Sequence, residues 1–161
     1  MPTLDEILDA VYRKDHATLR RLTPPEANTL DGDHRSPLMH AVLASDADPV
    51  TVSLLIDRGA DVNAADGGQH WTPLHFAARD GHDDIVQVLL NAGASVDPVN
   101  TFGNTPLWEN IMAPTTNVKT IETLLRHGAD PHKKNKRDVS PLDLARLAGR
   151  DDLVTLLEEK P

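Results

Sequence analysis

Eight histidines and 25 acidic residues give this chain of 161 residues many groups that can transfer protons or bind a metal ion. Such chemistry needs fixed spacings, for example two histidines four residues apart on one helix face with a glutamate beside the first. The nearest candidates, His70 with His75 and His127 with His132, are each five residues apart and have no glutamate in that pattern. The histidine pattern therefore predicts no metal centre.

Motifs for nucleophilic catalysis and phosphate binding are also missing from the sequence. The chain contains no cysteine, which excludes disulfides, thiolate metal sites and cysteine nucleophiles. It has neither a Gly-x-Ser-x-Gly elbow nor a glycine-rich phosphate loop, because Gly67-Gly68 precedes a turn and does not join a strand to a helix. We therefore predict that the chain is not an enzyme and has no catalytic residue and no cofactor.

The charge of the chain indicates what kind of partner it can bind. A net charge of −9 argues against nucleic acid as the partner. Residues 37–105 contain nine aspartates but only two basic residues, Arg58 and Arg79, so the formal charge of this segment is 2 − 9 = −7. This negative field favours a protein partner with a basic surface, although solubility explains it equally well. A basic run in residues 133–137 suits phosphate or an acidic partner, but a solvated turn explains it as well, since no aromatic residues interleave with it.

The sequence also bears on where the protein resides. Residues 1–6 lack a basic segment followed by an apolar one, and no apolar run approaches membrane-spanning length. We expect a cytoplasmic protein that does not bind a membrane.

Short helices have to position these side chains, because helix signals recur along the chain. In residues 66–98, Thr72 can cap a helix that begins at Pro73 and ends at Gly81, and a second helix ends at Gly93. The buried side of this second helix is predicted to contain Ile85, Val86, Leu89 and Leu90. One such helix pair cannot bury its apolar face alone, so neighbouring pairs are required.

The same helix start occurs four times in the chain. The copies are Ser36-Pro37-Leu38, Thr72-Pro73-Leu74, Thr105-Pro106-Leu107 and Ser140-Pro141-Leu142, with prolines 36, 33 and 35 residues apart. A Gly-Ala pair recurs as well, beginning at residues 59, 93 and 128. A period near 33 with these start and stop signals resembles the ankyrin repeat, and the resemblance covers about 130 residues.

The resemblance implies an all-α solenoid of stacked antiparallel helix pairs with projecting, hairpin-like turns. We expect one ankyrin-repeat domain, 1–161, with an N-terminal capping helix pair at 1–27, repeats at 28–64, 65–98 and 99–132, and a C-terminal capping repeat at 133–161. In the capping pair, Pro24-Pro25 should stop the second helix. The projecting turns should lie at 31–35, 66–71, 100–104 and 135–139.

Departures from the family pattern fall in the first and third repeats. Each carries about two extra residues between its helices, at 45–49 and 113–117. Such insertions often lie on a binding side, although drift in tolerant turns explains them as well. In the third repeat Trp108 stands at the family's histidine position, which His75 holds in the second and which normally points between helices. Asn110 and Ile111 replace a pair of alanines there, which predicts looser packing.

Ankyrin proteins hold their partners with the turn tips and the exposed side of each first helix, so the resemblance implies partner-binding residues at matching positions. In the turns these are Asp33, His34, Arg35, Gln69, His70, Trp71, Thr101, Phe102, Asn104, Lys136 and Arg137. On the first helices they are Leu43, Arg79, Asp80, Met112 and Leu147.

The apolar members of this set predict one continuous strip. Trp71 and Phe102, together with Leu43, Met112 and Leu147, should form an apolar surface that anchors the partner. Alternatively, Leu43 and Met112 pack under the inserted turns nearby.

We therefore predict a non-enzymatic module that binds one protein partner and is monomeric when free. An inhibitor or immunity-type protein that blocks a basic effector is the more specific form of this prediction, and strong salt dependence of binding would favour it. An adaptor or an assembly subunit is the alternative, and a mass that depends on concentration would indicate assembly.

Overall fold

The computed structural model describes residues 1–159, and all regular structure in that range is helical. The helices are α1 (Leu4–Tyr12), α2 (His16–Leu19), α3 (Pro24–Ala27), α4 (Pro37–Leu43), α5 (Pro49–Asp57), α6 (Pro73–Arg79), α7 (Asp83–Asn91), α8 (Pro106–Met112), α9 (Val118–Arg126), α10 (Pro141–Leu147) and α11 (Asp151–Glu158). The predicted all-α fold is confirmed. The last two residues of the predicted capping repeat, 160 and 161, lie outside the described residues.

The four repeated motifs start helices as the sequence predicts. Helices α4, α6, α8 and α10 each have proline at the first position, where no backbone N–H is needed for the helix. The preceding hydroxyl side chain accepts a hydrogen bond from the N–H three residues later; the four caps are Ser36, Thr72, Thr105 and Ser140.

The helices stack in two rows. The first row packs in the order α1, α4, α6, α8, α10, and the second in the order α2, α5, α7, α9, α11. The predicted alignment of the segments that follow the four prolines is therefore confirmed. The largest fully buried side chains are mostly aliphatic and include Leu38, Leu74, Leu89, Leu107 and Leu124. Helices this short are marginal alone, so the packing between rows and neighbours has to stabilise them.

The N-terminal pair differs from the prediction at its end. Thr3 with Glu6 forms a capping box, and Asp15 caps α2 as expected. The prolines at 24 and 25 do not stop α2, which already ends at Leu19. They begin the one-turn helix α3, because proline suits a first helical position, and Thr23 donates its N–H to Glu26 there at 2.7 Å.

The third helix pair accommodates its unusual residues without exposing them. Asn110 is fully buried, and its Nδ2 donates to the carbonyl of Ala78 in α6 at 2.7 Å. Ile111 is buried as well. The looser packing predicted at these positions stays a prediction: the Asn110 Nδ2 forms a hydrogen bond between neighbouring helices, but its Oδ1 is buried without a hydrogen-bond partner among residues 1–159.

A ladder of side chains joins the segments that follow successive second helices. In each step one side-chain oxygen accepts a backbone N–H from the next segment; the pairs are Asn28 with Asp61, Asn63 with Ser95, and Asp97 with Asp130, at 2.8 to 2.9 Å. Asn28 also donates Nδ2 to the Gly59 carbonyl at 2.7 Å. Asp97 has no such donor when ionised: its Oδ1 is buried without a hydrogen-bond partner among residues 1–159. Burial raises the pKa of Asp97.

Replacing Asp97 by asparagine is expected to stabilise the protein by ~1 kcal/mol at neutral pH, because the amide removes a poorly solvated charge and supplies a donor. Since the folded-state pKa is raised, ionisation of the native Asp97 lowers stability as pH rises through that pKa. The gain should therefore shrink at acidic pH. Urea unfolding at neutral and at acidic pH measures the gain. Asp61→Asn is the control, because Asp61 is exposed and accepts the Asn63 N–H but does not contact Asp97. An unchanged or lower midpoint for Asp97→Asn at neutral pH would contradict this reasoning.

Candidate functional site

Four turns project before the first helices and contact one another. Each is closed by a backbone hydrogen bond of 2.9 to 3.1 Å from its first N–H to its last carbonyl; the pairs are Asp31 with Arg35, Asp66 with Trp71, Asn100 with Asn104, and Asn135 with Val139. One further backbone bond links each turn to the next: Gly67 to Asp33, Thr101 to Gln69, and Lys136 to Phe102. The predicted turn positions are confirmed. We call this row of four turns the turn ridge.

Left-handed backbone at the next-to-last position shapes every turn of the ridge. His34, His70, Gly103 and Asp138 occupy that position with φ of 56°, 62°, 79° and 63°. Glycine, histidine and aspartate adopt this conformation more readily than most residues, which gives a structural reason for His34 and His70 at these positions. At Gly103 a Cβ would lie 2.8 Å from the amide nitrogen of Lys136, so only glycine lets the third and fourth turns approach this closely.

His40, to which the sequence analysis assigned no role, joins the N-terminal helix to the ridge. Its Nε2 donates to Asp31 at 2.8 Å and its Nδ1 accepts from the Tyr12 hydroxyl at 2.7 Å. Burial acts to raise the pKa of Asp31, but hydrogen bonds from the Arg35 N–H, His40 and the Asp33 N–H outweigh it and lower that pKa. The ionised carboxylate can only accept, which fixes the proton on Nε2 and makes this contact a structural one.

His75 forms the corresponding link inside the stack. Its Nδ1 accepts from the Thr72 N–H at 3.2 Å, and its Nε2 donates to the Asn104 carbonyl at 3.0 Å. Burial lowers the pKa of His75 to about 4. Asn104 is itself buried, and its Nδ2 donates a hydrogen bond to Glu109 at 2.9 Å. The predicted exposure of Asn104 at a turn tip is therefore wrong, since its side chain holds its own turn against α8.

Trp71 requires a second correction. The sequence predicts an exposed anchor, but only 8% of Trp71 is exposed. Its ring packs against His75 and Phe76, with centroids 5.6 and 5.1 Å apart, and the Arg79 guanidinium lies 5.3 Å above it. Asp80 holds that guanidinium with two hydrogen bonds of 2.7 and 3.0 Å. The side chains of Arg79 and Asp80, predicted as partner contacts, are thus engaged in covering Trp71.

Among the predicted partner contacts, the exposed apolar residues lie in two groups and not in one strip. Leu43, Arg79, Met112 and Leu147 hold equivalent positions, six residues after the proline of neighbouring helices. Met112 is 59% and Leu147 77% exposed, whereas Leu43 is partly buried against the core. Phe102, 48% exposed, precedes α8, and the helix separates it from Met112 by roughly 10 Å along the axis. The predicted continuous strip is wrong; we call Leu43, Met112 and Leu147 the inner row.

Phe102 belongs to a cavity of about 270 Å³ between the third and fourth turns, which we call the turn pocket. The other lining residues are Thr101, Asn104, Trp108, Asn135, Lys136 and Arg137. The structure thus brings together the residues predicted on these two turns. The sequence did not place Trp108 here, because its position was expected to point between helices. Its indole nitrogen is buried, and no residue in 1–159 accepts a hydrogen bond from it.

The remaining predicted residues lie on the first two turns. Asp33, His34, Gln69 and His70 are exposed at the tips. Arg35 is partly buried, 3.9 Å from the Asp33 carboxylate and 4.0 Å from that of the buried Asp66. These turns present an open polar surface, in contrast to the aromatic pocket at the other end of the ridge.

Contacts within the chain use many of the carboxylates of residues 37–105. Those with a hydrogen bond or ion pair to another residue are Asp46, Asp48, Asp61, Asp66, Asp80, Asp83, Asp84 and Asp97. At the fourth turn the situation is reversed, since Lys136 and Arg137 are exposed and pair with no carboxylate in residues 1–159. The charge available for contact at the turn pocket is therefore positive.

Two further properties concern the described part of the chain. Residues 1–159 contain no group of three or more acidic or histidine side chains arranged to hold a metal ion. No helix in the same range has both the length and the apolar character needed to cross a bilayer.

Known proteins share the sequence pattern that builds this arrangement. The family model described as "Ankyrin repeats (3 copies)" matches residues 7–100, and the one described as "Ankyrin repeat" matches 102–136. "Neurogenic locus notch homolog protein 1" is 37% identical in Xenopus tropicalis and 35% in Homo sapiens, each over 86% of this chain and 5% of the relative. "Serine/threonine-protein kinase 12" of Arabidopsis thaliana is 35% identical over 74% of this chain and 26% of its own length. The chain thus spans only a small part of these relatives.

Proposed function

This chain belongs to the ankyrin repeat family of protein–protein interaction modules, and on that premise we propose that it captures one protein partner and catalyses no reaction. The observation that carries the proposal is the pair of exposed apolar patches, the turn pocket and the inner row, on the first-helix row and its turns. Solvent favours polar side chains at such positions, so exposed Phe102, Met112 and Leu147 are most readily explained by contact with a partner.

Affinity capture with a double variant tests this proposal. Phe102→Ala with Met112→Ala should lose most of the partner that the native protein retains, because the change removes one exposed anchor from each patch. Helix content and melting temperature should change little, since both side chains are about half exposed or more.

A matched control lies on the second-helix row. Val50 on α5 and Val118 on α9 are 51% and 42% exposed, so Val50→Ala with Val118→Ala removes apolar side chains of similar fractional exposure from the opposite row. This control should retain the partner. Equal capture by both double variants would place the contact elsewhere and contradict the proposed surface.

A partner with a basic surface, as an inhibitor or immunity-type protein would have, is the more specific form of the proposal. The support is the balance of −7 in residues 37–105. Since many of those carboxylates already have partners within the chain, their effect should act at long range on the association rate. Association measured in low and moderate salt tests this form, and a rate that does not fall with added salt would contradict it.

The adaptor and assembly alternatives, and the monomeric state of the free protein, stay predictions. The exposed Leu147 on α10 is the observation that favours assembly, because an apolar residue at the end of the first row is suited to a further contact. Sedimentation at several concentrations distinguishes these cases: a constant monomer mass supports the free binding module, and a rising mass supports assembly.

A further inference from the structure

We propose that the turn pocket binds an acidic segment of the partner protein, with one large apolar side chain held between Phe102 and Trp108 and neighbouring carboxylates on Lys136 and Arg137. This inference rests on the proposed capture of a protein partner and deepens it, since it states which chemistry one of the two patches recognises. It does not depend on the basic-surface form of that proposal, which concerns the field of residues 37–105. The other patch, the inner row, takes no part in it.

The first step of the argument concerns shape. The cavity of about 270 Å³ has room for one large side chain, and two aromatic residues contribute to its lining. The backbone bond from the Lys136 N–H to the Phe102 carbonyl, 3.0 Å, fixes the spacing between the turns, and Gly103 permits it. The pocket is therefore formed before a ligand arrives, which lowers the entropy lost on binding.

The second step concerns charge. Lys134, in the same turn, pairs with Asp138 at 2.9 Å, which occupies that carboxylate. Glu109 is buried and accepts hydrogen bonds from Asn100 and Asn104, each at 2.9 Å. The nearest acids are thus engaged elsewhere.

The cations at the pocket are left without such partners. Lys136 and Arg137 line it and have no ion pair with any residue in 1–159. Exposed cations beside an apolar cavity are complementary to carboxylates that flank an apolar side chain.

The third step separates a protein segment from nucleic acid. Aromatic rings beside cations also suit single-stranded nucleic acid, whose bases stack while phosphates pair. Affinity for nucleic acid, however, depends on many phosphate contacts, and only two cations, Lys136 and Arg137, line the pocket. The small number of cations therefore favours a short acidic peptide segment over a strand of phosphates.

The two tryptophans of the chain make the test site-specific. An indole N–H spectrum of the ¹⁵N-labelled full chain contains one signal from Trp108, in the pocket, and one from Trp71, buried under Arg79. Three capped pentapeptides serve as probes: Glu-Glu-Phe-Glu-Glu, Glu-Glu-Gly-Glu-Glu and Lys-Lys-Phe-Lys-Lys. We expect the first peptide to shift the Trp108 signal at millimolar concentration and to leave the Trp71 signal in place. Each of the other two peptides should bind more weakly by a factor of about ten or greater.

Variants separate pocket recognition from general attraction. Lys136→Ala with Arg137→Ala should weaken binding of the first peptide about fivefold, since exposed charge pairs are individually weak. Phe102→Ala should weaken it about tenfold. Lys134→Ala is the matched control, because it removes a charge from the same turn that is already paired with Asp138, and it should leave binding nearly unchanged.

Several outcomes would overturn the inference. The first is a Trp108 signal that the acidic peptide does not shift, and the second is a lysine peptide that binds more tightly than the acidic one. The third is a Lys134→Ala variant that weakens peptide binding as much as Lys136→Ala with Arg137→Ala does. The fourth is an oligothymidylate that binds more tightly than the acidic peptide, which would indicate nucleic acid. A Trp108 shift that appears on concentrating the protein alone would indicate a second copy as the occupant. Failure of the peptide test leaves capture through the inner row intact. Normal peptide binding by the native protein, together with unchanged partner capture by the Phe102→Ala, Met112→Ala variant, would refute the proposed surface and not this pocket.

Discussion

Truncation of Leu89 to alanine is expected to lower the free energy of unfolding by ~2–5 kcal/mol, the range for a buried leucine that leaves a cavity. Leu89 is fully buried on α7, which packs between α5 and α9. Neighbours on both sides are held by their own contacts, so they can close the cavity only in part. Urea or thermal unfolding measures the loss.

The position of Leu89 also affects how the protein unfolds. Each helix pair contacts only its neighbours, so a defect in the middle of the stack weakens the coupling between the two ends. The unfolding transition should therefore broaden or divide in two. Leu147→Ala is the control, since this leucine is 77% exposed and its truncation should cost about 0.5 kcal/mol or less. A similar loss for the two leucines would mean that the buried face of α7 has been assigned wrongly.

Acidification from neutral pH to about pH 4 is expected to remove about 3 kcal/mol of stability through His75 alone. The folded-state pKa of His75 is lowered from 6.5 to about 4 by burial. A lowered pKa means that the unfolded chain binds the proton first, so the stability is complete above pH 6.5 and is lost as pH falls to about 4. Protonation of Nδ1 would also remove the hydrogen bond from the Thr72 N–H.

The difference between the native protein and His75→Gln isolates this effect. Glutamine does not titrate, so the variant should be less stable at neutral pH but should lose less stability on acidification. Other groups titrate in both proteins and cancel in the comparison, among them Asp97, whose raised pKa acts in the opposite direction. Identical pH dependence of the two proteins would refute the assignment of the acid sensitivity to His75.

The sequence predicted the helix starts and the turns well, because the interactions that form them are local. Thr72 caps α6 through an N–H three residues away, and the turn at Asn100 closes on Asn104 only four residues later. Interactions of this kind can be inferred from a few consecutive residues of the sequence. The period of the motif then indicated that the helix pairs stack, although it could not indicate which side chains the stacking would cover.

The candidate site was predicted only in part, because exposure depends on residues that are distant in sequence or on competing local contacts. Trp71 was predicted to be exposed, yet Arg79 from the end of α6 covers it. Trp108 was expected to pack between helices but lines the pocket against the fourth turn, some thirty residues further along the chain. The histidine at position 40 had no explanation until the structure placed it against Tyr12 of the first helix.

The sequence by itself determined the family, the four helix starts and the positions of the four turns, since proline, hydroxyl caps and glycine act on the few residues beside them. Only the tertiary structure decided which of the turn and helix residues remain accessible. It divided the expected apolar strip into the inner row and the turn pocket, and it left Lys136 and Arg137 without carboxylate partners in residues 1–159. The physical reason is that a side chain's exposure and ion pairing depend on every neighbour that the stack brings to it, and many of those neighbours lie in another repeat.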